Sequence, residues 1–343
     1  MTSHDLATAV GLLALLVLTA YLILGGADFG GGVWDLLAHG PRADAQRRAI
    51  SSAMGPVWEA NHVWLIFFVV LLFTGFPRAF WALTIALFLP LHLVLFGIIL
   101  RGASFVFRAH GNLGSPVRSA WGSVFGAGST VTIILLGAAL AAVSSGGIRV
   151  TSGAVSADPL HSWLSPFAVA TGLLALLVAA YLAAVFLTLE TSGPLREDFR
   201  IRAIATGAAA TAVALLDLPL MGSFAPHLWL RFWRPWAALV PAAAIVLAAG
   251  SLLALLSRRY RAARILSAGG VAVLLWGWAS AEWPYLIYPD FTLGDSAAPT
   301  PALEQTLLTL PFGLVLLVPS LWLLLRVFKG RNPAAERRPR EAR

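Results

Sequence analysis

The sequence predicts an all-α integral membrane protein with nine transmembrane helices. Three observations predict it. Of 343 residues, 59% are hydrophobic and only 12% charged, where a soluble chain carries roughly a quarter charged. Apolar runs of about 20 residues recur from end to end, and each is long enough to cross a bilayer as a helix. The basic residues between those runs fall on alternating sides so unevenly that they imply a topology. No separate soluble domain stands out. Residues 1–330 read as a single polytopic membrane domain and 331–343 as a disordered basic tail.

The expected spans are roughly 6–27, 55–75, 79–100, 119–143, 163–189, 201–221, 236–257, 264–283 and 303–328. The first has no basic residue before it and no small-residue cleavage site after it, so it reads as a span and not as a removed signal peptide. It runs into GGADFGGGVWDLLA. There Gly26 and Gly30 are four apart, on one helix face, which lets another backbone come close. No strand precedes these glycines and no Gly-Lys-Ser/Thr follows, so a phosphate-binding loop is a poor reading. A short basic hinge leads to GPVWEANHVWLI, where Pro56 suits a first helical position. The third span, through PLHLVLFGIIL, ends at Arg101, and Gly122 and Gly126 offer close packing in the fourth. The later spans are plain hydrophobic helix. The loop 284–305 is long, acidic and proline-containing. Trp64, Trp81, Trp163, Trp229, Trp233, Trp236, Trp283 and Trp322 fall mostly near span ends, as an aromatic belt does.

Counting Lys and Arg by alternating side puts 20 on one side, with the C-terminal tail, and 4 on the other: Arg78, Arg149, Arg231 and Arg234. Cytoplasmic loops retain basic residues, so the N-terminus is expected outside and the C-terminus in the cytoplasm. The net charge of +8 is therefore a topological signal, and nucleic acid is not an expected partner. The tail is placed to touch anionic lipid. Cysteine is absent, which excludes disulfides, thiolate metal sites and cysteine nucleophiles.

This topology gathers the unusual residues at one depth. Asp28 is expected at the cytoplasmic end of the first span, Glu59 one turn inside the second, and Arg101 at the end of the third. An ionisable residue in a span is a functional candidate. The plainer reading stays open: Glu59 would complement a helix dipole, and Arg101 would snorkel to the headgroups. His62, three residues after Glu59, shares its helix face and would either extend a proton path or hydrogen-bond to it. His92 is expected near the middle of the third span, with no second histidine at matching depth, so haem or metal ligation is disfavoured. Asp217 and Glu282 are expected to be interfacial.

Taken together, GGADFGGGVWDLLA, RRAISSAMGPVWEANHVWLI, PLHLVLFGIILRGASFVFR, LSPFAVATG, RIRAIAT and WPYLIYPDFTLGDSA resemble subunit II of the cytochrome bd-type quinol oxidases over nearly the whole chain. The resemblance implies two four-helix bundles plus one peripheral helix, in a bacterial plasma membrane. It implies that this chain ligates no haem and no metal. The quinol site, low-spin haem b, high-spin haem b and haem d would belong to a partner subunit I, in a heterodimer that also admits a small single-span accessory subunit. It implies that Glu59 lines a path by which protons enter from the cytoplasm, with Arg101 and Asp28 near it. Two departures stand out: glutamate at 59 where aspartate is common, and His92 where an apolar residue is usual, which leaves room for a lipid or quinone contact. The loop between spans six and seven is also short.

The preferred reading is thus a non-haem, proton-conducting subunit of a quinol-oxidising, oxygen-reducing enzyme, not catalytic by itself. The rival is a proton-coupled transporter. Transporters place charged sites near the midplane, often in paired repeats, and neither feature is evident here.

Overall fold

A computed structural model describes residues 2–55, 58–110, 115–234 and 239–329. Pro56, Trp236 and the tail 331–343 lie outside the described residues. The elements in order are α1 (Ser3–Leu36), α2 (Ala43–Met54), α3 (Trp58–Gly75), α4 (Pro77–Ala86), α5 (Phe88–His110), α6 (Ser115–Ser144), β1 (Arg149–Thr151), β2 (Ala154–Ser156), α7 (His161–Leu164), α8 (Pro166–Glu190), α9 (Gly193–Phe224), α10 (Pro226–Phe232), α11 (Leu239–Leu256), α12 (Tyr260–Glu282), β3 (Tyr285–Ile287), β4 (Phe291–Thr292), α13 (Leu293–Ser296) and α14 (Thr300–Lys329). Among the described residues, nine helices are long and apolar enough to cross a membrane: α1, α3, α5, α6, α8, α9, α11, α12 and α14.

Two boundaries differ from the sequence expectation, and both matter for the site. α1 is 34 residues long, about 50 Å at 1.5 Å per residue. It opens with a capping box, in which Thr2 and Asp5 each hydrogen-bond the other's backbone amide. It ends only at Leu36, so Asp28 lies ~12 Å before its end rather than at it. The third span is split. α4 stops at Ala86, and α5 starts at Phe88. Pro90 explains the break: it has no N–H to reach the Ala86 carbonyl, and its ring crowds that oxygen. α5 then continues nine residues past Arg101, which puts Arg101 well inside a helix. The same break leaves His92 one turn into α5.

α1 is the central helix. It packs against α3, α6, α8 and α12, and α14 lies against α1 and α3. α8 packs on α6 and α9, α5 on α6, and α11 on α12. The closest approach of α1 to α8 is at Gly30, where a Cβ would fall on the Ala179 carbonyl. Gly26 makes only ordinary contact, with a Cβ position 4.0 Å from Leu182. Two apolar clusters hold the ends of the bundle. Val10, Phe76, Ala82, Ile287 and Leu303 form one. Trp34, Ile50, Met54, Phe199 and Leu255 form the other, beneath the surface helix α2.

The loop after α12 is ordered: β3 and β4 pair antiparallel, and the Ala298 amide donates to the Gly75 carbonyl at 2.8 Å. Asp217 and Glu282, expected at the interface, are buried within the protein near the ends of α9 and α12. Asp217 accepts from Thr171 Oγ1 at 3.0 Å. Glu282 pairs with His227 at 3.2 Å, and His227 lies flat on Tyr288. The short α10, folded back against α12, covers this end in a way no periodicity announces.

Candidate functional site

Three helices bring polar groups into the interior. α1 contributes Tyr21, Asp28 and Phe29, α3 contributes Asn61 and His62, and α5 contributes Arg101. Arg101 is 1% exposed and Asp28 5%. Charges so deep need partners. Asn61 Nδ2 donates to Asp28 Oδ2 at 2.7 Å. Arg101 Nη1 lies 3.1 Å from His62 Nε2. Arginine has only donors, so Nε2 accepts, and the His62 ring is neutral with its proton on Nδ1. The guanidinium sits 4.7 Å from the Phe29 ring centre and 5.5 Å from that of Phe125, where ring faces attract a cation. Phe29 stacks in turn on His62. Asp28 acts on Arg101 electrostatically.

The cluster is not saturated. Arg101 Nε and Nη2, His62 Nδ1 and the Tyr21 hydroxyl are buried without a hydrogen-bond partner among the described residues. Each such group costs about 1–3 kcal/mol.

Glu59 stands apart. It occupies the first turn of α3 and is exposed, where a carboxylate complements the helix dipole. Of the four residues grouped from the sequence, the structure brings Asp28, His62 and Arg101 together and leaves Glu59 on the outer surface of α3. His92 is exposed too. Its Nδ1 donates to the Phe88 carbonyl at 2.7 Å, one turn back, and its ring lies on Phe88. Among the described residues no group of three His, Cys, Asp or Glu could hold a metal.

The sequence reading missed several polar residues. Asn61 is the direct partner of Asp28. Two turns further along the same two helices, Arg108 donates to both oxygens of Asp35 at 2.6 and 2.9 Å, and Asp35 is 2% exposed. The spacing was a usable signal, since Asp28 to Asp35 and Arg101 to Arg108 are each seven residues. On the same side, Arg42 forms a two-point pair with Asp198, which also accepts from Gln46, fastening α2 to α9. The Asp198 carboxylate raises the Arg42 guanidinium above its ordinary value.

Asp28 and Asn61 also face a cavity of about 570 Å³ enclosed by α1, α2, α3, α8, α12 and α14. Its wall includes Leu24, Ala27, Ile50, Ala183 and Leu187, with Glu190, Arg264 and Arg326 as further charged residues.

Residues 6–328 match the family model for cytochrome bd terminal oxidase subunit II. The chain belongs to that family. The putative cytochrome bd menaquinol oxidase subunit II of Bacillus subtilis is 23% identical over 323 residues, 90% of this chain and 91% of that protein. The cytochrome bd ubiquinol oxidase subunit 2 of the same organism is 25% identical over 190 residues, 55% of each chain. The Escherichia coli cytochrome bd-I ubiquinol oxidase subunit 2 is 25% identical over 214 residues, 62% of this chain and 55% of that protein. The chain thus aligns with about half the length of the last two relatives. A chain of the bd oxidase from Geobacillus thermodenitrificans has the same fold, with a TM-score of 0.81 at 24% identity, covering 96% of this chain and 100% of that one. This member of the bd subunit II family is accordingly a multi-pass membrane protein. The candidate site in this family member is the buried Asp28, Asn61, His62, Arg101 cluster, with Tyr21 beside it.

Proposed function

We propose that this chain is the non-haem subunit of a cytochrome bd-type terminal oxidase. It pairs with a haem-bearing subunit I, and the pair oxidises quinol and reduces O2 to water. The haems and the quinol site are assigned to the partner. No haem is assigned here: His62, the one histidine inside the site, already uses Nε2 on Arg101. The chain stabilises the partner and supplies a proton path from the cytoplasm, the side to which the basic asymmetry assigns Arg42, Arg108 and Arg264.

The observation that carries the reading is the buried meeting of Asp28, Asn61, His62 and Arg101. Each O2 reduced to two waters consumes four protons, and lipid conducts none. Asp28 is the titratable group in that meeting, with Asn61 fixing one of its oxygens. Arg101 cannot release its proton. It holds positive charge beside the path and is aimed by His62. Glu59, exposed on α3, is the surface carboxylate in this scheme. The rival transporter reading places its sites near the midplane and gains no support from the family match.

Glu59→Gln tests the surface role. It keeps shape and hydrogen bonding but cannot titrate. We expect assembly and the partner's haem spectrum to be intact, oxygen consumption to fall sharply, and Glu59→Asp to retain much of it. Turnover and vesicle acidification at the wild-type level in the glutamine variant would remove Glu59 from the path.

A further inference from the structure

We propose that the cavity beside α1 binds one anionic phospholipid, with its phosphodiester on Arg264 and Arg326 and an acyl chain along the apolar wall. The proposal needs only the multi-pass membrane protein described above and is independent of the proton-uptake reading. Its starting point is a division within the cavity: cations stand at one rim, and the wall inward of them is apolar.

Arg264 lies in the first turns of α12, Arg326 in the last turns of α14, and Glu190 is the last residue of α8. All three line the cavity at one end of the bundle, the end that the basic asymmetry assigns to the cytoplasm. Arginines near span ends reach the headgroup level. Each guanidinium here rests on a ring of the same wall. Arg264 lies 4.7 Å from the Phe186 ring centre and Arg326 lies 5.1 Å from that of Trp322. A ring takes the face of a guanidinium, whereas its five N–H donors lie in its plane. That planar fork matches phosphate oxygens. Two guanidiniums and the Glu190 carboxylate leave one net positive charge, equal and opposite to that of a phosphodiester. Inward of the rim the wall includes Leu24, Ala27, Ala183 and Leu187, which hydrocarbon covers better than water does. The volume of about 570 Å³ falls within the roughly 300–1,000 Å³ of pockets that hold small ligands. α14 rests on α1 and α3, and α12 on α1, α8 and α11, so α1 floors the space between α12 and α14. Basic pockets between spans on the cytoplasmic side are where anionic headgroups bind. A quinone would offer two cations only neutral carbonyls, and a free phosphate would leave the apolar wall uncovered.

The two-subunit complex, stripped of bound lipid in detergent, is given phosphatidylglycerol or phosphatidylcholine, and retained lipid is counted by native mass spectrometry. Wild type should hold one phosphatidylglycerol about thirtyfold more tightly than phosphatidylcholine, from about fivefold for each arginine. Arg264→Gln combined with Arg326→Gln should abolish that preference with the haem spectrum unchanged. Ala27→Phe narrows the apolar part and keeps both guanidiniums, and it should weaken phosphatidylglycerol as well. Equal retention of the two lipids by wild type overturns the site, and so does an undiminished preference in the double variant. Retention untouched by Ala27→Phe would put the lipid outside the cavity and overturn the acyl-chain assignment. Inorganic phosphate in large excess should leave the lipid in place. Displacement would mean that the site takes a free anion, which overturns the lipid. Should the double variant fail to assemble, Arg326→Gln alone, at an exposed position, decides through its expected loss of about fivefold. None of these outcomes bears on Asp28 or Glu59, whose own variants judge the proton reading.

Discussion

Two acid–arginine sets lie seven residues apart on the same pair of helices, α1 and α5, and they are built differently. Asp35 and Arg108 form a direct two-point ion pair. Asp28 and Arg101 are each diverted to α3, the acid to Asn61 and the arginine to His62. One cause is position along α3. α3 begins at Trp58, so its side chains reach the level of Asp28 but end before that of Asp35. The consequence is chemical. A closed pair saturates both charges and has nothing left to exchange. The divided set leaves two guanidinium nitrogens, Nε and Nη2, without a partner among the described residues and keeps a carboxylate at the edge of a cavity. The lower pair reads as a fastening and the upper set as the working part.

The largest expected effect tests the fastening. Asp35→Asn removes one member of a buried pair, which costs about 3–5 kcal/mol. Arg108 keeps 19% side-chain exposure, so the low end of that range applies. We expect a marked loss of thermal stability in detergent with poor assembly, and partial recovery when Arg108→Met is added. A single variant as stable as wild type would erase the distinction between the two sets. Next in size is Asp28→Asn. It retains an oxygen for Asn61 and should fold, while oxygen turnover falls by a factor on the order of 10², the scale of a lost proton-transfer group. Turnover within a factor of two of wild type, with the haems in place, sinks the assignment.

How much of this was legible beforehand follows the same line. Nine spans were readable because bilayer thickness imposes a length and hydrophobicity that need no tertiary knowledge. Asp28, His62 and Arg101 were readable as polar residues in apolar runs. Depth was not. The extension of α1 to Leu36 and the break at Leu87 moved Asp28 and Arg101 inward, because helix ends in a membrane protein are set by capping and by Pro90 rather than by hydropathy. Glu59 was grouped with Asp28 and Arg101 by expected depth, but the two sides of one helix turn face different surroundings. Burial of Glu282 depended on α10 folding back, a long-range event with no local signature.

A smaller effect separates aiming from relaying. His62 accepts from Arg101 and is neutral, so its work is to hold the guanidinium. His62→Gln supplies an oxygen acceptor at similar reach and should keep turnover within about threefold of wild type. His62→Leu strands the Arg101 donor and should lose about 1–3 kcal/mol of stability. If the glutamine variant loses as much turnover as Asp28→Asn, His62 carries protons itself and the divided set has two titrating members.

The smallest effect concerns a third acid–arginine pair, exposed rather than buried. Asp290, in the loop after α12, accepts from the Val150 amide at 2.6 Å and from Arg149 Nε at 3.1 Å, tying that loop to β1. Partial burial pushes its carboxyl up, but the Val150 and Arg149 bonds outweigh this and hold it below the ordinary carboxylate range. A lowered folded value means that the ionised form is favoured by folding. The stabilisation is therefore fully present above the unfolded value near ~3.9 and is lost as pH falls through the lower folded value. Arg149 is 55% exposed, so solvent screens the pair and its worth is under about 1 kcal/mol. Asp290→Asn should lower the melting temperature slightly at pH 7, and the gap from wild type should shrink once the pH drops below about 4. Tryptophan fluorescence melts at both pH values measure it. A gap as large as that of Asp35→Asn, or one unchanged in acid, would mean that burial is not what separates the strong pair from the weak one.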